Sequence, residues 1–281
     1  MNTQIPDLDL IIDIAIQEDL SLGDITTQSL RLRSENVKCV IISKQSGILC
    51  GNTVAKEVFK KIDPDIKYIE NCFDADSLEP GVIIAEIFGD KNNILSAERT
   101  ALNFLQRMSG VATLTNEYVK LVDKISISDT RKTIPGWRNL DKYSVRCGGG
   151  SNHRRNLGDG VLIKDNHISA AFKQNMTLKD LVKQSRRNSP HTIKIEIEVD
   201  SYKLLDEAID SDVDIIMLDN MTDSEIIECV KRINGKKLVE VSGNIDKARL
   251  VKLNKIPGID IVSVGKLTHS AKALDISLSF I

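Results

Sequence analysis

The second half of this 281-residue chain has a beat. The apolar runs ISISDTRK, GVLIKDNH, IKIEIEVD, DIIMLDN, KLVEVSGN and DIVSVGK each end in polar or charged residues, and helical stretches follow. Between the markers Lys132, Lys164, Glu198, Asp219, Ser242 and Gly265 the spacings are about 32, 34, 21, 23 and 23 residues. Each spacing has room for one strand, one helix and two loops, the repeat of a parallel βα protein. The runs are rich in Ile and Val, as strands buried on both faces should be. Successive parallel strands either close into a barrel or form an open sheet, and in both the functional groups collect at the carboxyl ends. The polar residues of this chain stand at those ends.

The first part of the chain lacks that beat. Asp7 is placed to cap a helix in which Leu10, Ile11, Ile14 and Ala15 recur at helical spacing, ending in the loop Ser21–Asp24. Strands are expected over 37–50 and 66–88, with helical spacing over 52–62, a mixture that suits an α+β domain. From Ile94 to about Lys124 the pattern is helical, and Gly110 marks a break or a close approach. A net charge of -2 supplies no global field for nucleic acid or an anionic membrane, so an anion site must come from local clustering. The N-terminal stretch has no basic start and is interrupted by Asp, which reads as neither a signal peptide nor a membrane span. The cysteines, Cys39, Cys50, Cys72, Cys147 and Cys229, are scattered without a C-x-x-C and read as reduced thiols of a cytoplasmic protein. Cys147, in a glycine-rich stretch, reads as an incidental small residue ahead of a reactive one.

Local clustering is found between Asp129 and His167. Arg131, Lys132, Arg138, Lys142, Arg146, Arg154, Arg155 and Lys164 fall there with His153 and His167, and Gly148–Gly150 would let backbone approach a ligand. Any one of these bases alone reads as a solvated surface charge. Lys132 and Lys164, however, each directly follow an expected strand and would share one rim, which points to an anionic ligand. Glu196 and Glu198 are two residues apart and so lie on one face of their strand. Glu198, nearer the strand end, and Asp219 are candidates to hold Mg²⁺, accept hydroxyl hydrogen bonds or stabilise a cation. Glu196 reads equally well as a structural partner of a neighbouring base. The turns at Ser242-Gly243-Asn244 and Ser263-Val264-Gly265 are candidate phosphate cradles. Taken alone, these residues describe an anion-binding α/β enzyme.

The stretches EDLSLGDITT, AERTALNFLQRMSGVAT, DTRKTIPGWRNLDKYSVRCGGGSNHR, VLIKDNHI, EIEVDS, IMLDNM, EVSGNI and SVGKLTHSAKALDISL occur in that order. Through them the chain resembles the quinolinate phosphoribosyltransferase family over nearly its whole length. The resemblance implies an α/β fold of two domains. One is an α+β sandwich from residues 1–109, rejoined by 268–281, and the other an incomplete parallel α/β barrel over 110–267. It implies transfer of phosphoribose from 5-phosphoribosyl 1-diphosphate to quinolinate, giving nicotinate mononucleotide, diphosphate and CO₂ with Mg²⁺. It also implies a cytoplasmic homodimer with shared active sites, or a larger assembly such as a hexamer, with no nucleic-acid or membrane partner.

Residue by residue, the resemblance assigns Arg99, Arg131, His153 and Arg154, with help from Lys164, to the two carboxylates of quinolinate, and Arg99 would come from the partner subunit. Thr130 joins them among the substrate-binding residues. Lys132 and Lys164 would neutralise the diphosphate. Glu198 and Asp219 would meet ribose hydroxyls or Mg²⁺, directly or through water, and stabilise an oxocarbenium-like state. Ser242, Gly243, Asn244, Ser263, Val264 and Gly265 would receive the 5-phosphate. The alternatives are a molybdenum-utilisation paralogue with another acceptor, a nicotinate or nicotinamide acceptor, and a non-catalytic binding protein. The intact set Arg99, Arg131 and Arg154 favours a dicarboxylate.

Overall fold

The computed structural model describes residues 5–31 and 33–281. They form two compact units: the chain up to Asn116 with Thr133–Gly149 and Lys266–Ile281, and Glu117–Lys132 with Gly150–Gly265.

In chain order the first unit contains α1 (Leu8–Leu20), α2 (Ile25–Leu30), β1 (Asn36–Ser43), β2 (Gly47–Ile48) and α3 (Asn52–Ile62). There follow β3 (Lys67–Glu70), β4 (Ser77–Leu78), β5 (Ile83–Asp90), all but the last three residues of the long helix α4 (Lys91–Val119), and α5 (Arg138–Cys147). The C-terminal strand Ile276–Phe280 joins β1, β5 and β3, in that order, in an antiparallel sheet. Its core includes Ile41, Leu49, Phe59, Ile84, Ile87, Leu102, Phe104 and Leu105, all buried. Each such side chain contributes about 1.5–3 kcal/mol by leaving water. Asp7 does precede α1, but at φ 59 with no side-chain cap bond. Of the expected stripe, Ile11 and Ala15 pack against the core while Leu10 and Ile14 are exposed, and the fully buried residue of the helix is Ile12.

Gly110 does not break α4. A Cβ there would lie 2.0 Å from the Lys272 carbonyl oxygen, so the glycine serves a close approach of backbone. Gly148 plays the same part: a Cβ would come within 2.3 Å of the Ala112 carbonyl oxygen, so packing and not a ligand explains it. Helix α5 belongs with this unit because Leu140, Tyr143 and Cys147 enter its core and Asp141, itself buried, pairs with Arg107 at 3.3 Å. The compact units keep 110–116 and 133–149 with the first.

The second unit is built on β6 (Ser126–Ser128), β7 (Val161–Ile163), β8 (Ile195–Val199), β9 (Ile215–Asp219), β10 (Leu238–Ser242) and β11 (Ile261–Ser263). All pairings are parallel, in the order β6-β11-β10-β9-β8-β7. The first strand of this unit thus pairs with its last, and the sheet stays open between β6 and β7, the arrangement of an incomplete barrel. Helices α6 (Asp165–Lys173) and α7 (Leu178–Asn188) both fall between β7 and β8, where spacing alone suggested one helix. Then α8 (Tyr202–Ile209), α9 (Asp223–Ile233) and α10 (Lys247–Leu253) alternate with strands as expected. Capping boxes at Thr177/Asp180 and Thr222/Glu225 start α7 and α9, each cap contributing about 1 kcal/mol. No helix among the described residues is long and apolar enough to cross a membrane.

Candidate active site

Side chains alternate along a strand, and register carries a face from one strand to the next. Glu198 pairs in register with Met217, Met217 with Glu240, and Asp219 with Ser242. One face of the curved sheet therefore carries acids and serines among its apolar residues. At the carboxyl ends of the strands this face opens into a cavity of about 530 Å³. Of the residues singled out from sequence, Thr130, Arg131, Lys132, His153, Arg154, Lys164, Glu198, Asp219, Ser242, Gly243, Asn244 and Ser263 line it. A neighbouring depression of about 850 Å³ shares Lys164, Glu198 and Asp219 and extends over α6 and α8, past Phe172 and Lys203.

The basic members are held from beneath. Segment 150–152 runs beside β6, with a bridge between Ser128 and Ser151. The fully buried Asp129 accepts hydrogen bonds from Asn152 Nδ2 at 2.8 Å and the His153 backbone N–H at 2.9 Å. Arg154 donates from Nη1 to the Gly160 carbonyl at 3.0 Å. The Nε atoms of Arg131 and Arg154 are buried and meet no hydrogen-bond acceptor within the protein. Burial holds Arg154 below the usual guanidinium range, and the Arg131 charge adds to the effect while Glu196 and Glu198 oppose it. Two guanidiniums side by side with buried donors to spare form a receptor for an anion with more than one carboxylate.

In the same cavity, Lys164 pairs with Glu198 at 3.1 Å. Asp219 accepts from Asn220 Nδ2 at 2.7 Å. The turn after β10 is shaped by left-handed residues, Gly243 at φ 95 and Asn244 at φ 50, facing Asn220 at φ 55. A Cβ on Gly243 would fall 2.2 Å from Asn220 Oδ1, so only glycine fits. Arg249 ties the turn down by donating from Nη1 to the Gly243 carbonyl at 2.8 Å.

Some expected members stand elsewhere. Arg99 is exposed on α4 in the first unit and does not line the cavity. Val264 and Gly265 do not line it either, and the Val264 N–H is spent on the Ser128 carbonyl at 2.9 Å. Of the basic stretch 129–167, Arg138, Lys142 and Arg146 lie on α5 in the first unit, so that stretch is not one continuous rim. Sequence reasoning missed Asp129 and Glu240. Each carried a signal, since an acid inside or directly after an Ile/Val-rich strand needs a partner.

Comparison with known proteins places the chain in a family. The family model described as quinolinate phosphoribosyl transferase, N-terminal domain, matches residues 24–109, and that for the C-terminal domain matches 111–279. A Bacillus subtilis protein named "probable nicotinate-nucleotide pyrophosphorylase (carboxylating)" is 40% identical over 93% of this chain and 89% of its own length. The crystal structure of NadC from Streptococcus pyogenes is similar with a TM-score of 0.93 at 38% identity, covering 100% of this chain and 99% of that one. The nicotinate-nucleotide pyrophosphorylase structure from Francisella tularensis gives 0.92 at 39% identity, covering 99% and 98%. With the family models spanning both parts of the chain and a relative 40% identical over nearly its whole length, the chain belongs to the quinolinate phosphoribosyltransferase family.

Proposed function

We propose that the chain transfers phosphoribose from 5-phosphoribosyl 1-diphosphate to quinolinate with loss of CO₂, producing nicotinate mononucleotide for NAD biosynthesis. The observation that carries this reading is the pair Arg131 and Arg154, with buried Nε donors that no protein acceptor meets, lining one cavity with Glu198 and Asp219. A dicarboxylate satisfies the arginines. A sugar whose reacting carbon becomes positive satisfies the acids.

In this reading Arg131 and Arg154 grip the quinolinate carboxylates, and Thr130 lies beside them. Lys132 and Lys164 draw charge from the departing diphosphate. The turn Ser242-Gly243-Asn244, with Ser263 beside it, receives the 5-phosphate. Glu198 and Asp219 accept the ribose hydroxyls and stabilise positive charge at C1′. They also offer hard carboxylate oxygens from adjacent strands, a donor set that fits Mg²⁺ completed by water and phosphate oxygens. When bound, the ion neutralises charge on the diphosphate.

The pyridine nitrogen forms its bond to C1′ as the C1′–O bond to diphosphate breaks. The ring, now cationic, takes the electron pair left when the C–CO₂ bond breaks, and a proton from solvent replaces CO₂. No protein base is required. Holding two reactants in line supplies roughly 7–11 kcal/mol of the barrier, and the fixed charges stabilise what develops at C1′. The 850 Å³ depression continuous with Lys164, Glu198 and Asp219 gives the second substrate its room. A second subunit supplies Arg99 in this reading, in a homodimer with shared sites.

Incubating the protein with quinolinate, 5-phosphoribosyl 1-diphosphate and Mg²⁺ should release CO₂ and nicotinate mononucleotide in equal amounts. Folded protein that yields neither would overturn the reading.

A further inference from the structure

Next to His153, which lines the cavity, are two acids that do not: His153, Glu196 and Glu240 each bring one side-chain atom within 4.8 Å of the others. His153 Nε2 lies 3.0 Å from Glu196 Oε2 and 3.7 Å from Glu240 Oε1. On the other side of the ring, Nδ1 accepts the Arg154 backbone N–H at 2.8 Å. Glu196 is 5% exposed and Glu240 2%, deep for acids.

A metal ion is the first reading of such a trio, and the ring argues against it. Coordination through Nε2 leaves the imidazole proton on Nδ1, where the Arg154 N–H already points. With Nδ1 an acceptor, Nε2 carries the proton and donates to Glu196. Both ring nitrogens are therefore turned to protein groups.

We propose that Glu196 and Glu240 are positioning residues for the acceptor: Glu196 accepts from the His153 imidazole, Glu240 is buried beside them 3.7 Å from Nε2, and this buried trio fixes the His153–Arg154 backbone and so aims the Arg154 guanidinium at a quinolinate carboxylate. The inference rests on the quinolinate reading given above. His153 is pinned at its backbone N–H by Asp129, at Nδ1 through Arg154 and at Nε2 by Glu196. Two carboxyls buried side by side retain one proton between them, because two unscreened like charges repel. That proton rests on Glu240, which burial, with the Glu196 charge adding, pushes up to about 8. The groups facing Glu240 are Glu196 from β8, His153 from the segment after β6, the Ser263 hydroxyl from β11 and, on β9, the uncharged Met217. Below pH 8 Glu240 is neutral; above it Glu240 adds a negative charge that opposes a dicarboxylate.

Steady-state kinetics of the full-length protein test this. Glu196→Ala should raise the KM for quinolinate about tenfold to a hundredfold, the scale of a misplaced binding group, with the KM for 5-phosphoribosyl 1-diphosphate unchanged. Glu196→Gln, which still accepts from Nε2, should recover most of that loss. Glu240→Gln should match wild type at pH 7 and lose the rise in quinolinate KM that wild type shows above pH 8, whereas Glu240→Ala should not match. Should Glu196→Ala fail to fold, the Gln variants and the wild-type pH profile decide. The role is overturned by an active wild type whose Glu196 variants leave quinolinate KM within twofold or raise both KM values alike. It is also overturned if Glu240→Gln is as damaging as Glu240→Ala, or if wild-type quinolinate KM is flat through pH 8. A wild type that releases no CO₂ from quinolinate overturns the function itself.

Discussion

Arg131 and Arg154 show how much a residue's meaning depends on what lies beside it. In the sequence each is a base in a basic stretch. In the structure each has a buried Nε without an acceptor, and Arg154 is held below its usual range mainly by burial. Charge-assisted hydrogen bonds contribute about 1.5–3 kcal/mol each. Arg131→Ala or Arg154→Ala should therefore raise quinolinate KM by roughly tenfold to a hundredfold by that same scale, and wild-type kinetics in either variant would end the carboxylate assignment. Glu240 gives a prediction of stability. Its carboxyl is raised from 4.5 to about 8 by burial, so the stability it contributes is full below 4.5 and is lost as pH rises through about 8. Urea unfolding should show wild type losing more stability between pH 5 and pH 8.5 than Glu240→Gln does. Equal losses would mean that Glu240 does not hold its proton in the fold.

At the scale of elements, glycines decide what the apolar pattern leaves open. Spacing allowed Gly110 to be a helix break or a close approach. The continuous α4 and the 2.0 Å from a Cβ to the Lys272 carbonyl select the second. Backbone cannot yield as a flexible side chain does, so Gly110→Ala should cost about 1–3 kcal/mol, read as a lower urea midpoint. Gly243 is a conformational case, with φ 95 and Asn220 against any Cβ. Gly243→Ala should deform the turn after β10 and raise the KM for 5-phosphoribosyl 1-diphosphate while leaving that for quinolinate near wild type. An effect on quinolinate alone would move the 5-phosphate elsewhere. The six strands of the second unit were legible because each is a short Ile/Val run with a polar end. The two helices between β7 and β8, and the departure of α5 to the first unit, were not, because spacing counts residues and does not say what they pack against.

At the scale of the whole molecule, the proposed shared site is tested by mixing subunits. Arg99→Ala and Lys164→Ala should each be nearly inactive alone and regain activity when exchanged into one assembly. Confirmed exchange without recovery would place Arg99 outside catalysis. The sequence by itself determined the α/β class, the parallel rhythm and the identity of the strand-end residues, because strand periodicity and the types of the terminal residues are local properties of the chain. Only the tertiary structure decided that Val264 spends its N–H on Ser128, that α5 with Arg138, Lys142 and Arg146 packs into the first unit, and that Glu196, Glu240 and His153 share one buried corner. Burial and hydrogen-bond partners come from segments far apart in the chain, and no local pattern encodes which of them will meet.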